Sequence, residues 1–246
     1  MHRFLVASLD SPGNKLLVLD KKQIHHIKNV LCLRPGEKVV LFDGKGSEAL
    51  AGIERLSTEG IRMVISKKIV SDNKRKLSLT VACALPKNSR FDDIVDKLTQ
   101  LEVDRIIPLK TERTQVKPSQ DSAEVRLGRW KKIALSAAQQ SRRIILPQID
   151  RLTDLTQLLK DSAGFDLKFI PYLKGERKTL KEALSHPLPA GAKIIILIGP
   201  EGDFSPKEVA LALKNGFIPV SLGPSVLRVE TAAVSAAAFI NLYEDR

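Results

Sequence analysis

The chain has little with which to cross-link or bind metal. Among 246 residues there are two cysteines, Cys32 and Cys83, far apart and in no Cys-x-x-Cys pair. A disulfide framework and a thiolate zinc site are therefore excluded, and both residues are expected to be small core side chains in a reducing, cytoplasmic setting. His2, His25, His26 and His186 fall in no metal-ligand spacing, so no metal is expected. No apolar run nears the ~18 residues of a membrane span, and no signal-peptide h-region opens the chain. Gly-x-Gly-x-x-Gly and Gly-x-x-x-x-Gly-Lys-Ser/Thr are both missing, which removes the dinucleotide fingerprint and the P-loop.

What is present is positive charge, unevenly spread. The net charge is +12. Residues 1–73 carry 12 Lys/Arg against 8 Asp/Glu, residues 74–145 carry 16 against 8, and residues 146–246 carry 12 against 12. The whole excess thus lies in the first 145 residues. Cations confined to one part of a protein are the electrostatic footprint expected for nucleic acid, since Lys and Arg contacts release counterions from phosphate. The plainer alternative is a basic surface kept for solubility.

Two kinds of segment follow one another. Residues 1 to about 70 predict a small β-rich domain. Its strands are expected at Leu16–Leu19, Lys38–Phe42, Glu48–Ile53 and Ile61–Ile65. A hairpin is expected at Asp43-Gly44-Lys45-Gly46, and a helix from Lys21 to about Leu33, closed by Arg34-Pro35-Gly36. The polar stretch 71–76 reads as a linker. Beyond it, strands and helices alternate, which predicts a mostly parallel α/β sheet. Strands are expected at Leu77–Ala84, Arg105–Leu109, Leu167–Tyr172, 194–198 and Ile218–Leu222. Helices are expected at Phe91–Leu101, Ala123–Ser141, Asp154–Ser162 and Leu180–Leu184, and from Pro206 to a stop at Gly216. The last of these has an N-cap serine, Ser205, proline at its first position and Glu208 at its third.

Two glycine-ended strands close in sequence suggest one pocket built from two loops. The apolar run 194–198 stops at Gly199-Pro200-Glu201-Gly202, and Ile218–Leu222 stops at Gly223. Glycine at the carboxyl end of a buried strand lets the backbone come close to a ligand. Pro200 withholds an amide where a phosphate cradle would want one, so the loop suits close backbone packing and carbonyls. The second loop continues to Arg228, Glu230 and Thr231 before an alanine-rich helix. Arg228 suits a phosphate or a developing oxyanion, and Glu230 or Thr231 suits a helix cap. The bland reading of that pair is a surface arginine and a capping acid. In the basic middle, Lys87, Arg90, Arg113, Lys117, Arg129, Lys131, Lys132, Arg142 and Arg143 outnumber nearby acids. Phe91 and Trp130 suit either base stacking or the core, and their amphipathic helical pattern favours the core.

The order of these segments resembles the bacterial 16S ribosomal RNA uridine-N3 methyltransferases of the knotted SPOUT superfamily. The matching residues are His26, Val30-Leu31, Pro35-Gly36, Leu41-Phe42-Asp43-Gly44, Lys97, Leu101, Val103 and Pro108-Leu109. They continue with Arg129-Trp130, Ala137 to Ser141, Arg143 and Pro147, then Leu197 to Gly202 and Leu222-Gly223 with Leu227-Arg228 and Glu230-Thr231-Ala232. The two C-terminal motifs are specific and the others support them.

The resemblance implies a PUA-like β-barrel RNA-binding domain over 1–72 and a methyltransferase domain over 74–246. The second would have a parallel sheet and a C-terminal trefoil knot and would act as a homodimer. The implied cofactor is S-adenosyl-L-methionine, held by Tyr172, Leu173, Ile198, Gly199, Pro200, Glu201, Gly202, Leu222, Gly223, Leu227, Arg228 and Thr231. The implied substrate is 16S rRNA of the small ribosomal subunit, methylated at N3 of a uridine. Arg228, Arg143 and Glu230 are the catalytic candidates. Arg3, Arg34, Lys87, Arg90, Arg113, Lys117 and Arg142 are the RNA-binding candidates. A SPOUT enzyme acting at another RNA position, and a non-catalytic RNA-binding ribosome-assembly factor, are the rival readings.

The chain departs from the family pattern at a few places. Gln100 and Gln139 stand where the family usually has glutamate, and Glu102, Arg142 and Asp203 where it usually has glycine.

Overall fold

The computed structural model describes residues 1–18, 20–70, 77–87, 90–116, 119–185 and 189–244. The expected linker 71–76, Lys117 and His186 lie outside them. The chain divides into two compact units, one of residues 1–74 with 138–146 and one of 75–137 with 147–246.

The first unit is a five-stranded sheet. Its strands are β1 (Arg3–Leu5), β2 (Lys15–Val18), β3 (Lys38–Phe42), β4 (Ser47–Leu56) and β5 (Ile61–Val70), in the order β1-β3-β4-β5-β2. The β3–β4 hairpin forms where the Asp-Gly-Lys-Gly run lies. The Asp43 carboxylate closes it by accepting from the amides of Lys45 and Ser47 at 2.7 and 3.0 Å. The expected helix from Lys21 is shorter than its pattern. One α-helical stretch, α1 (Lys21–His25), passes into five π-helical residues and stops at Val30, with Leu31 bonding back to His26. Cys32 follows at φ +51° and is exposed, not part of a core. Residues 138–146 join this unit through backbone and amide bonds. Gln139 donates to the Arg3 carbonyl at 2.8 Å, and the Leu146 amide to the Gly44 carbonyl at 2.9 Å.

The second unit is built on parallel strands. They are β6 (Leu77–Ala84), β7 (Arg105–Lys110), β8 (Gln148–Ile149), β9 (Thr153–Asp154), β10 (Leu167–Pro171), β11 (Lys178–Thr179), β12 (Ala192–Ile198) and β13 (Ile218–Ser221). The sheet runs β11-β13-β10-β12-β6-β7-β8, with β9 also against β7. Every pairing is parallel. The helices are α2 (Arg90–Gln100), α3 (Gln120–Ser141), α4 (Leu155–Lys160), α5 (Leu180–Ala183), α6 (Pro206–Lys214) and α7 (Val229–Glu244).

The tertiary packing accounts for the unbroken apolar run 194–198 of β12. Ile194, Ile196 and Ile198 join one core with residues of α2, α3 and α7, while Ile195 and Leu197 join another with α4 and α6. A strand covered on both faces has no polar side to display. Each such side chain, taken from water, contributes roughly 1.5–3 kcal/mol. Phe91 and Trp130 pack with ring centroids 4.6 Å apart in the first of these cores. The Trp130 indole donates to Asp92, so both rings are committed to packing and unavailable for base stacking. No helix of the described residues is long and apolar enough to cross a membrane.

Candidate functional site

A cleft of about 270 Å³ opens beyond the carboxyl ends of β10, β12 and β13. This is where open α/β sheets bind ligands, because strand ends turn into loops there and leave backbone groups unpaired. The size approaches the lower limit of about 300 Å³ typical of small-molecule sites. Three loops line it, after β10, after β12 and between β13 and α7.

Of the twelve residues expected to hold a cofactor, ten line the cleft. These are Tyr172 and Leu173 from the first loop, Ile198 at the end of β12 with Gly199, Pro200 and Glu201 from the second loop, and Leu222, Gly223, Leu227 and Arg228 from the third. Gly202 and Thr231 are not among its lining residues. Arg177 and Asp203 are, and sequence reasoning assigned neither. The signal for Asp203 was its place at a family glycine. Arg177 had none, since it lies in no motif.

The glycines act differently from one another. A Cβ on Gly199 would stand 3.0 Å from the buried ring of Phe204, so the close approach this glycine permits is to a core side chain. Gly223 adopts φ +128°, which glycine alone adopts without strain, with nothing near its absent side chain. There the residue is required by the turn into the third loop.

The charges of the cleft fall into two states. Glu201 accepts the Lys87 amide at 3.0 Å. Asp203 accepts the amides of Phe204 and Leu173 at 2.8 and 3.4 Å. Arg177 donates to the Tyr172 carbonyl at 2.8 Å. Arg228 is exposed, with no hydrogen-bond or ion-pair partner for its guanidinium among the described residues, while its carbonyl receives the Ala232 amide at 2.8 Å to start α7. Glu230 is not in the lining; its carboxylate pairs with Arg90 at 3.2 Å. Arg143 belongs to the first unit and is 6% exposed.

The Cys83 thiol lies one residue before the end of β6, fully buried. Burial, with the carboxylates of Glu230 and Glu201 adding to it, pushes its pKa far up, so it is an inert core group.

The RNA-binding candidates separate by exposure. Arg34, Lys87, Arg113 and Arg142 are exposed, and Arg113 also donates to the Gly202 carbonyl at 2.7 Å. Arg90 is half-buried in its pair with Glu230. Arg3 has a side chain only 9% exposed, paired with Glu48 at 2.9 Å and lying over the Phe42 ring.

The cleft's mixture suits S-adenosylmethionine. It provides apolar walls for a nucleoside, and charged side chains of both signs for a zwitterionic amino acid. An RNA methyltransferase domain model matches residues 73–241, and an RNA methyltransferase PUA domain model matches residues 19–66. The chain is similar to ribosomal RNA small subunit methyltransferase E of Synechocystis, 33% identical over 92% of this chain and 72% of that one. It is similar to the Bacillus subtilis protein of the same name, 28% identical over 89% of this chain and 87% of that one. A structure of ribosomal RNA small subunit methyltransferase E from Neisseria gonorrhoeae bound to S-adenosyl methionine superposes with a TM-score of 0.86. It is 30% identical and covers 99% of this chain and 98% of that one.

Proposed function

Since the chain belongs to the ribosomal RNA small subunit methyltransferase E family, with an RNA methyltransferase domain over residues 73–241, we propose that it methylates N3 of a uridine in 16S rRNA of the small subunit. The observation that carries the reading is the cleft itself, where a cofactor site and one unpaired arginine occur together. S-adenosylmethionine supplies an electrophilic methyl group on sulfur. A carbon–nitrogen bond forms at N3, the carbon–sulfur bond breaks, and the N3 proton must leave.

The protein's part is positioning and charge stabilisation. The three loops hold the cofactor and leave the side of Arg228 for the base. Fixed proximity is worth up to about 7–11 kcal/mol of barrier. As N3 loses its proton, negative charge spreads to the uracil oxygens. Arg228 donates to that charge; one such aimed donor is worth roughly 3–4 kcal/mol, and arginine stays cationic at any working pH. Glu230 lies outside the cleft lining and pairs with Arg90, which leaves water, or a free lone pair of Glu201 or Asp203, to take the proton. A homodimer, with a trefoil-knotted cofactor domain, belongs to the same proposal, as does a cytoplasmic site of action.

The test is transfer of labelled methyl to small subunits from a strain lacking this gene, followed by nucleoside mass spectrometry. The expected product is 3-methyluridine; another methylated nucleoside redirects the substrate, and no transfer despite tight RNA binding favours an assembly factor. Arg228→Ala is expected to slow single turnover roughly 10²–10³-fold at saturating cofactor and RNA. A near-normal rate removes Arg228 from the mechanism.

A further inference from the structure

Asp203 stands at φ +60°, a left-handed conformation that glycine adopts freely and aspartate at a small cost. The turn it closes needs only its main chain, the Asp203 amide bonding to the Pro200 carbonyl at 2.9 Å. Glycine would make the same bond without strain. The side chain adds two bonds that glycine could not make, to the Phe204 amide at 2.8 Å and to the Leu173 amide at 3.4 Å.

Its carboxylate reaches across the cleft's edge to the Leu173 amide. The guanidinium of Arg177 donates to the carbonyl of Tyr172. That carbonyl and that amide are the two ends of one peptide group. An anion thus holds its N–H and a cation its C=O, and all four residues line the cleft. Leu173 is 49% exposed and lies just past the end of β10, so the strand ladder does not fix this peptide plane by itself.

We propose that Arg177 and Asp203 form a positioning pair that locks the Tyr172–Leu173 peptide plane and so pre-organises the wall of the S-adenosylmethionine cleft. The inference rests on the cofactor reading above. A backbone group already held in its binding orientation spares the ligand the ordering cost of fixing it.

Calorimetric titration with S-adenosylmethionine, thermal unfolding of the free protein and hydrogen exchange at the Leu173 amide test this together. Asp203→Gly is expected to weaken cofactor binding roughly tenfold while the free protein melts close to wild type, because relief at a left-handed position offsets the lost amide bonds and the greater chain entropy of glycine. Asp203→Asn, which keeps an acceptor oxygen, should recover part of the affinity. Arg177→Ala should weaken binding as well, with the double variant losing little more than either single one. In the free protein the Leu173 amide should exchange faster in Asp203→Gly.

Wild-type affinity in Asp203→Gly overturns the pair, as do losses that add or a loss that tracks a lower melting point. Failure of the wild type to bind S-adenosylmethionine instead overturns the proposed function, and the cofactor role of the pair falls with it.

Discussion

Glu102 ends α2 at φ +58°. Its amide bonds back to the Thr99 carbonyl and the Val103 amide to that of Leu98, a Schellman closure with Val103 and Leu98 in the same core. Glycine suits that position best, because a side chain in the left-handed region costs about 1–2 kcal/mol. Glu102→Gly is expected to stabilise the protein by roughly 0.5–1 kcal/mol after the greater chain entropy of glycine is subtracted. Denaturant unfolding checks it, and a loss of stability would mean the glutamate's own contacts outweigh the strain.

Asp43 illustrates the opposite balance, a side chain that the turn needs. Burial alone raises its pKa, but the amides of Lys45 and Ser47 outweigh burial and hold the carboxyl below its usual range. A pKa lowered in the folded state adds stability that is present above the unfolded value near about 4 and lost as pH falls through the folded value. The stability gap between wild type and Asp43→Asn should therefore narrow as pH is lowered from about 6 to about 2. A gap that stays constant would assign the effect to shape and not to charge.

At the scale of elements, α6 was legible from four residues. Ser205 accepts the Glu208 amide at 3.3 Å and Glu208 returns the bond to the Ser205 amide at 2.8 Å, with Pro206 at the first helical position. Glu208 also accepts the Glu112 amide at 2.7 Å, so the box ties a second loop down. Ser205→Ala should cost about 1 kcal/mol, seen as a melting shift of roughly 2–4 °C. No shift would show that the remaining bonds suffice. The segment after Lys21 shows the limit of such reading. Periodicity carries through His26 to Leu33, yet the backbone widens to a π-helical turn and stops at Val30. Apolar spacing does not distinguish i→i+4 from i→i+5 bonding, since both bring Ile24 and Ile27 inward.

For the whole molecule, the charge asymmetry makes a prediction about salt. Arg34, Lys87, Arg113 and Arg142 are the exposed candidates for phosphate contact. Four contacts at about −0.7 each give a slope near −3 for log K against log salt with single-stranded rRNA fragments. A flat plot would remove phosphate contacts as the source of affinity. Arg3 should add nothing to the slope, because it is buried against Phe42 and neutralised by Glu48. Arg90 should add little, since Glu230 already pairs with it.

By itself the sequence determined what local chemistry and periodicity can encode. The run Ile194 to Ile198 was legible as a doubly covered parallel strand because nothing polar interrupts it. The hairpin at Asp43 and the start of α6 were legible because their bonds are made between residues two to four apart. The cleft's main loops were legible through their motifs. Only the tertiary structure decided which cations are available, for Arg3 and Arg34 look alike until burial and Glu48 separate them. It alone showed that Gly199 makes room for Phe204. It alone placed Arg177 and Asp203 on one peptide group, contacts that join side chains to the same wall from 26 positions apart. Such pairings are fixed by the order of strands in the sheet, and no window of sequence contains that order.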